Sequence, residues 1–281
     1  MNLLKEVFID ALKNREQKIS RLKDSNHEAI LAEAATRWIQ YNPSPVACRP
    51  AGVDSSWNKR AYQGLNLYAV DAVAATSGNE ILASDYKVEI ASSARREFLE
   101  TMGMNMEASV AQKASETGKT DIICIDGSIV ARLKRAEPAS AMNAAKKYGN
   151  SVFIAKSSES RLQFSEIGSR AGDIYYYNRA SGSSAGYSTP VAMHTGYGNV
   201  TEIYARLRES TPMLRLEVLR SISDQEIREL LNSISYHSVG GYPYCLKLAH
   251  NDCKIGDEDL DRIASILSLQ NEHGARDALN E

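Results

Sequence analysis

Two aspartates in this sequence stand where a β-strand could present a carboxylate. Asp54 follows the apolar residues 51–53, and Asp126 follows the near-continuous apolar residues 122–125 and precedes Gly127-Ser128. Two carboxylates forced together where water is scarce repel each other, and a divalent cation relieves that repulsion. Taken alone, an aspartate before a glycine or a serine is typical of a turn. The pair therefore indicates a metal site only if the fold brings the two strands together.

A third acidic ligand could come from the helix that residues 92–117 predict between the two aspartates. Three glutamates of this segment are candidates: Glu97, Glu100 and Glu107. Glu107 is favoured because its neighbours are apolar, so that this side of the helix could face a sheet. A lone helical glutamate otherwise belongs to a solvated face. The helix therefore adds a third ligand only in combination with the two aspartates.

A second unusual segment, Gly240-Gly-Tyr-Pro-Tyr-Cys-Leu-Lys-Leu-Ala-His250, lies far downstream. Pro243 suits the first turn of a helix. Tyr242 and His250 are eight residues apart, just over two helical turns, which would place both side chains on roughly one face. A neutral histidine is the commonest nitrogen ligand for a transition metal, although a core or capping histidine is the alternative.

The elements that would position these residues follow from hydrophobic spacing. Apolar residues at three- and four-residue intervals predict helix through residues 2–40, including Trp38 and Ile39, and Asn42-Pro-Ser-Pro45 ends it. Further helices are predicted at 138–148, 223–233, 243–251 and 257–269. Strands are predicted at 51–54, 65–75, 80–91, 121–125, 151–155, 173–179, 203–207 and 213–219.

This order of elements predicts the fold class. Three antiparallel strands, joined in part by the turn Ser77-Gly78-Asn79, precede a helix, a strand, a helix and a strand. That is the order of an α/β, ribonuclease-H-like mixed sheet flanked by helices. We expect a helical N-terminal extension over residues 1–41, one domain with this sheet over 42–270 and a polar tail over 271–281. In such a sheet the strands that carry Asp54 and Asp126 are neighbours, and Asp54 is expected to end its strand.

Composition narrows the class of protein. The formal net charge is only −2, so a phosphate backbone would need a local basic groove. The four cysteines form no Cys-x-x-Cys pair, and Cys124 is expected to be a core residue. No apolar run is long enough to span a membrane, and the thiols favour a cytoplasmic location. The phosphate-binding Gly-x-x-x-x-Gly-Lys motif is missing from the sequence, so any ATP-driven step would need a partner.

Three motifs together resemble the NurA nuclease family. They are Ala51-Gly-Val-Asp-Ser-Ser56 before a β meander, Cys124-Ile-Asp-Gly-Ser128, and Tyr242-Pro-x-x-Leu-x-x-Ala-His250, and they span about 200 residues in the family's order. The family pattern often has Asp-Gly-Ser at its first acid, where this chain has Asp54-Ser55-Ser56. The absence of that glycine is expected to change the turn but to leave Asp54 as a metal ligand.

The resemblance implies a Piwi-related ribonuclease-H-like fold and a manganese-dependent nuclease for single- and double-stranded DNA. It also implies a homodimer that resects DNA ends together with HerA, a hexameric ATP-driven translocase. The metal ligands that it implies are Asp54, Glu107, Asp126 and His250, with Mn²⁺ as the metal and Mg²⁺ as the alternative. Tyr242 matches the family's tyrosine, and Lys156 resembles one of its basic positions.

The sequence allows two interpretations of several basic residues, of the partner contacts and of the function. Lys156 could neutralise a phosphate or could be a solvated lysine at a strand end. Five basic residues are possible contacts to the DNA backbone, although solvation is the simpler interpretation of each: Arg95, Arg96, Arg132, Lys134 and Arg161. The N-terminal helix, or loops in 157–200, could contact a second subunit or a motor. The rival hypotheses are a non-catalytic DNA-binding or scaffold subunit and an RNA-directed ribonuclease-H-like nuclease.

Overall fold

The structure is a computed structural model that describes residues 3–21, 26–135 and 138–269. Within these ranges the helices are α1 Leu3–Lys13, α2 Arg15–Ser20, α3 His27–Thr36, α4 Arg96–Glu116, α5 Ile129–Arg135, α6 Pro138–Tyr148, α7 Asp173–Ala180, α8 Asp224–Tyr236, α9 Tyr244–Asp252 and α10 Asp257–Ile266. The strands are β1 Trp38–Gln40, β2 Pro50–Ala61, β3 Asn66–Thr76, β4 Ile81–Ala91, β5 Ile122–Asp126, β6 Val152–Ala155, β7 Gly186–Ser188, β8 Val191–Thr195, β9 Gly198–Arg206, β10 Leu214–Val218, β11 Ser238–Val239 and β12 Tyr242–Pro243.

One mixed sheet organises the described part of the chain. Its strands follow the order β1-β7-β9-β10-β6-β5-β2-β3-β4, and β8 pairs with β9. The meander β2-β3-β4 is antiparallel, whereas β5 is parallel to both β2 and β6. The predicted ribonuclease-H-like arrangement is therefore confirmed, and the strands that carry Asp54 and Asp126 are neighbours.

Helices cover both faces of this sheet, as a buried parallel strand requires. On one face α4 and α6 pack on β2 and β5, and Ile123 and Ile125 belong to the core between them. On the opposite face α8 and α9 pack on β5, β6 and β10, and the fully buried Cys124 belongs to that core. Because successive side chains of a strand point to opposite faces of the sheet, β5 contributes residues to both cores. The expectation that Cys124 is a core residue is confirmed.

The prediction of a helix over residues 2–40 is wrong at its C-terminal end. Trp38 and Ile39 lie in β1, which pairs with β7, so their helical spacing is overridden by strand pairing. A side chain at Gly186 would overlap the carbonyl oxygen of Ile39, so the close β1–β7 contact depends on that glycine. The described residues before β1 form α1, α2 and α3 in place of one continuous helix.

The segment 173–179 was predicted as a strand and is the helix α7. Its tyrosines favour a strand by propensity, yet Tyr176 and Tyr177 are fully buried beside Phe164 and Ile30. Packing on α3 therefore decides the conformation, as tertiary contacts commonly override β propensity.

Other predicted elements are confirmed. β9 and β10 form the predicted hairpin, and the turn between β3 and β4 includes Asn79 with a φ of 64°. The helix α8 opens with a capping box in which the Ser223 hydroxyl accepts from the Glu226 backbone N–H. No helix in the described ranges is both long and apolar enough to cross a membrane. The predicted polar tail over 271–281 lies outside the described residues.

Candidate metal centre

Asp54 and Asp126 are brought side by side by the parallel pair β2 and β5. Val53 is in register with Ile125, so the next residue of each strand carries a carboxylate at the same level of the sheet. β5 ends at Asp126, whereas β2 continues beside β3 as far as Ala61. The expectation that Asp54 ends its strand is therefore wrong, because pairing with β3 extends β2 beyond the metal site.

His250 reaches this pair from α9, on the face of the sheet opposite α4. Its Nδ1 atom lies 2.8 Å from Asp54 Oδ2, and its side chain is 55% exposed. α9 sits very close to β2, because a Cβ atom at Gly52 would overlap the backbone of Cys245. Gly52 thus permits the approach that puts an imidazole beside a buried carboxylate.

These three side chains form a set of donors that suits a divalent cation. One ligand atom from each of Asp54, Asp126 and His250 lies within 4.8 Å of the other two. Burial raises the pKa of Asp54, and the nearby charge of Asp126 raises it further. A cation would offset both effects, because it stabilises the two ionised carboxylates. Mixed carboxylate and imidazole ligands favour Mn²⁺ over Ca²⁺, so the residues fit the metal that the sequence motifs suggest.

Tyr242 and Lys156 both contact Asp126. The Tyr242 hydroxyl donates to Asp126 Oδ1 at 3.0 Å, and Lys156 Nζ lies 3.6 Å from Asp126 Oδ2. Lys156 Nζ also lies 4.5 Å from the centroid of the Tyr242 ring. Burial raises the pKa of Tyr242, followed by the charge of Asp126, so the phenol stays a neutral donor. Tyr242 was expected at helical spacing on roughly the same face as His250, but it lies in β12, just before α9 begins.

Glu107 is fully buried on α4 and lies outside the group of three. Its carboxylate accepts from Tyr148 Oη at 2.9 Å and from Ser55 Oγ at 3.1 Å, and it forms an ion pair with Arg132. Burial raises the pKa of Glu107 to about 7, while the Arg132 guanidinium acts in the opposite direction. Glu107 is therefore close to Asp54 but already bound by three partners, and its role as a metal ligand stays a prediction. Glu97 is exposed, and Glu100 pairs with Arg96 at 2.7 Å.

The contacts of Arg132 were not predicted from the sequence, where it is one of several basic residues. Besides its ion pair with Glu107, its guanidinium donates to the backbone carbonyl of Asp126. Gly127, between the two, has a φ of 96°, a conformation that favours glycine. The spacing of Asp126-Gly127-Ser128 and Arg132, four residues later on α5, is the signal that could have indicated this contact. The other basic candidates, Arg95, Arg96, Lys134 and Arg161, are exposed.

The ribonuclease-H-like sheet and the acidic group at the carboxyl end of β5 together define a class of fold with a candidate metal site. The model of the NurA domain family matches residues 49–255, which is most of the chain. The chain therefore belongs to the NurA family.

Individual relatives agree with this membership. The chain is 26% identical over 132 residues to the DNA double-strand break repair nuclease NurA of Sulfurisphaera tokodaii, an alignment that covers 43% of this chain and 39% of that protein. The fold resembles the crystal structure of the NurA nuclease from Sulfolobus solfataricus, with a TM-score of 0.77, 17% identity and coverage of 96% of this chain and 97% of the other. It also resembles a NurA crystal structure bound to dAMP and manganese, with a TM-score of 0.69, 12% identity and coverage of 97% and 99%.

Proposed function

We propose that this protein is a metal-dependent deoxyribonuclease that hydrolyses phosphodiester bonds in single- and double-stranded DNA. The observation that carries the proposal is the convergence of Asp54, Asp126 and His250 donors within 4.8 Å in a member of the NurA family. The curated relative is named a double-strand break repair nuclease, which supports a place in DNA end resection. Endonuclease and 5′–3′ exonuclease activities are both compatible with this site.

The proposed metal is Mn²⁺, with Mg²⁺ as the alternative. Asp54, Asp126 and His250 would hold it, and Glu107 is proposed as a fourth ligand that would have to exchange its contact with Arg132. A divalent cation bound there would activate water and stabilise charge on the phosphate oxygens. Support for manganese comes from the mixed oxygen and nitrogen donors and from NurA crystal structures that contain manganese.

The surrounding residues orient these donors and compensate charge. Tyr242 holds Oδ1 of Asp126 by its hydrogen bond, and Oδ2, which is paired with Lys156 at 3.6 Å, is the oxygen that would face a metal. Lys156, whose side chain is 53% exposed, is close enough to pair with a substrate phosphate beside the metal group. Asp54 accepts a hydrogen bond from the Ser55 backbone N–H at 2.8 Å, which holds its carboxylate in place.

The proposed assembly is a homodimer that works with a HerA-type hexameric ATPase. The chain has no phosphate-binding loop of its own, so a separate motor would drive movement along DNA. The apolar side chains of α1 are exposed, including Leu3, Phe8 and Leu12, which supports a contact there with another chain. Loops within 157–200 remain the alternative contact.

Cleavage assays with an active-site variant test this function. We expect wild-type protein to cleave DNA in Mn²⁺ and the Asp126→Ala variant to lose at least about a hundredfold in rate, because one ligand and its charge are removed. Asp224→Ala, an exposed aspartate on α8, is the matched control. Undiminished cleavage by a clean preparation of Asp126→Ala would refute the proposal. Parallel digestion of RNA and of a DNA–RNA hybrid tests the alternative, because an RNA-directed nuclease would cleave these substrates in preference to DNA. If the wild-type protein bound DNA without cleaving it, a non-catalytic scaffold subunit would be favoured.

A further inference from the structure

A second cavity adjoins the candidate metal centre. The cavity at the metal centre has a volume of about 300 Å³ and includes Asp54, Asp126 and His250 in its lining. The neighbouring cavity has a volume of about 220 Å³ and lies on the α4 side of β2. Ser55 and Arg132 line both, so the two cavities are separated by little more than these side chains.

The path between the cavities follows from the pairing of β2. β5 pairs with β2 only from Pro50 to Val53, whereas β3 continues along the other side of β2 to Ala61. Beyond Val53, the side of β2 that faces away from β3 is therefore not covered by β5. A chain that crosses this uncovered side passes from the metal group to the α4 face of the sheet.

The lining of the second cavity combines an aromatic ring with cationic groups. Trp57 is half-buried, packs beside Leu99, and turns to the same face as Ser55, as strand alternation requires. Arg132 and Arg135 supply two guanidinium groups, and the Arg135 side chain is 66% exposed. Gly103 has no side chain to fill the space. The charge of Glu100 is offset, because its carboxylate contacts Arg96 at 2.7 Å and Arg135 at 3.8 Å.

We propose that this cavity binds the nucleotide next to the scissile phosphate of a single DNA strand, with its base stacked on Trp57 and its backbone phosphate paired with Arg135. An aromatic face for the base and guanidinium groups for the backbone are the chemistry by which proteins hold single strands. The volume suits one base and its sugar, since pockets for whole drug-sized ligands begin at about 300 Å³. The proposal rests on the proposed nuclease function.

The surface continues this path away from the metal centre. A third cavity of about 990 Å³ shares Thr101 and Arg135 with the second. Its lining adds one aromatic ring, Phe98, and two further cations, Arg95 and Lys147, beside two carboxylates, Asp85 and Glu97. The three adjoining cavities thus form a route of suitable chemistry for several nucleotides of one strand, and a duplex end would have to fray to enter it.

Tryptophan fluorescence in EDTA tests binding without cleavage. The chain has two tryptophans, so Trp38→Phe leaves Trp57 as the reporter. We expect a short oligothymidylate to quench Trp57 emission in the Trp38→Phe protein. Trp57→Ala should weaken oligothymidylate binding by on the order of tenfold, and Trp57→Phe, which keeps an aromatic face, by much less. Anisotropy of a labelled oligonucleotide measures these affinities, with the exposed Tyr86→Ala on β4 as the control.

The Gly103→Leu variant is a second test of the cavity that leaves Trp57 in place, in case Trp57→Ala does not fold. A Cβ atom at Gly103 meets Ser55 Oγ at 3.4 Å, an ordinary contact, and leucine has the higher helix propensity. The Cβ atom is therefore tolerated, and the rest of the leucine side chain is expected to enter the cavity and to weaken strand binding; thermal unfolding of the variant checks that the fold is kept. Unchanged affinity in both Gly103→Leu and Trp57→Ala, or no quenching in Trp38→Phe, would overturn the inference even if the protein cleaves DNA. Quenching without any metal-dependent cleavage would instead support the strand site and refute the nuclease function.

Discussion

Each functional residue of the candidate centre depends on a neighbour that fixes its side chain. Asp126 contacts Tyr242 and Lys156, Asp54 contacts His250, and Glu107 contacts Arg132. Residues around metal ligands commonly determine the orientation and basicity of those ligands. The centre is therefore a set of paired side chains, and single substitutions of the neighbours are informative.

Tyr242→Phe tests such a neighbour. The change removes only the hydroxyl that donates to Asp126 Oδ1, so we expect Mn²⁺ affinity or cleavage rate to fall by roughly 10- to 100-fold with an unchanged fold. Mn²⁺ titration by electron paramagnetic resonance measures the affinity, and Tyr244→Phe on α9 is the matched control. Equal affinity and rate in Tyr242→Phe and wild type would argue against a role for this hydrogen bond.

Asp173, which lies outside the candidate centre, is expected to make the free energy of unfolding depend on pH. It is fully buried at the start of α7, and burial raises its pKa from 3.8 to about 6. Between these two values Asp173 binds more protons in the folded state than in the unfolded state, so its contribution to the free energy of unfolding decreases as pH rises. We expect a loss of at most about 3 kcal/mol across that window, and Asp173→Asn should remove it.

Urea unfolding at several pH values from about 4 to 7 checks this prediction, since the window is set by the raised pKa of Asp173. Glu166→Gln, an exposed acid near α7, serves as the control and should keep the wild-type pH profile. An Asp173→Asn protein with the same pH profile as wild type would contradict the assigned titration.

At the scale of elements, the position of the site depends on how closely α9 approaches β2. The Gly52→Ala substitution adds a Cβ atom that would overlap the Cys245 backbone, so the helix must shift and move His250 away from Asp54. We expect a loss of stability of about 1–3 kcal/mol or more, together with weaker Mn²⁺ binding. Thermal unfolding and metal titration measure both effects.

Gly196→Ala is the control for this prediction, because nothing lies within 4 Å of an added Cβ atom there. Its stability and metal affinity should match those of wild type. If Gly52→Ala were as stable as wild type and bound Mn²⁺ equally well, close α9–β2 packing would not position the site.

Some helices and strands could be predicted from the sequence, and others depend on tertiary contacts. The meander, β5 and α9 could be predicted because apolar spacing, turn residues and Pro243 act locally. The extension of β2 past Asp54 could not, because it depends on pairing with β3. The same holds for β1 and α7, whose local preferences are overridden by β7 and by the core around Phe164. Asp54, Asp126 and His250 were found by motif, whereas the contacts of Arg132, Ser55 and Tyr148 with Glu107 require the folded chain.

At the scale of the whole molecule, a nearly neutral chain can hold DNA only through local charge. The formal net charge is −2, yet Arg132, Arg135 and Lys156 lie around the candidate centre and its neighbouring cavity. Local cations beside acidic ligands focus a phosphate backbone on the metal group without a basic overall surface. The N-terminal helices differ from the rest of the fold, since no residue of α1 or α2 is buried.

The N-terminal helices therefore predict a separable role in assembly. None of the described residues 3–21 is buried, so we expect a protein without residues 1–21 to keep the remaining fold and its metal affinity. We also expect the proposed homodimer to be weaker and to dissociate at a higher protein concentration, because exposed apolar side chains such as Phe8 and Leu12 would be lost. Light scattering measures the mass, and Phe8→Ser with Leu12→Ser in the full chain is the matched variant. An intact dimer in both proteins would place the contact elsewhere, such as in the loops within 157–200.

A crystal structure with Mn²⁺ soaked in would show whether Asp54, Asp126 and His250 together hold a divalent cation. We expect an anomalous peak within about 2.5 Å of an oxygen of each aspartate and a nitrogen of the histidine. The same data would show whether Glu107 leaves Arg132 to join them. A well-ordered crystal with no peak at these three residues, or with Mn²⁺ bound only elsewhere, would contradict the account.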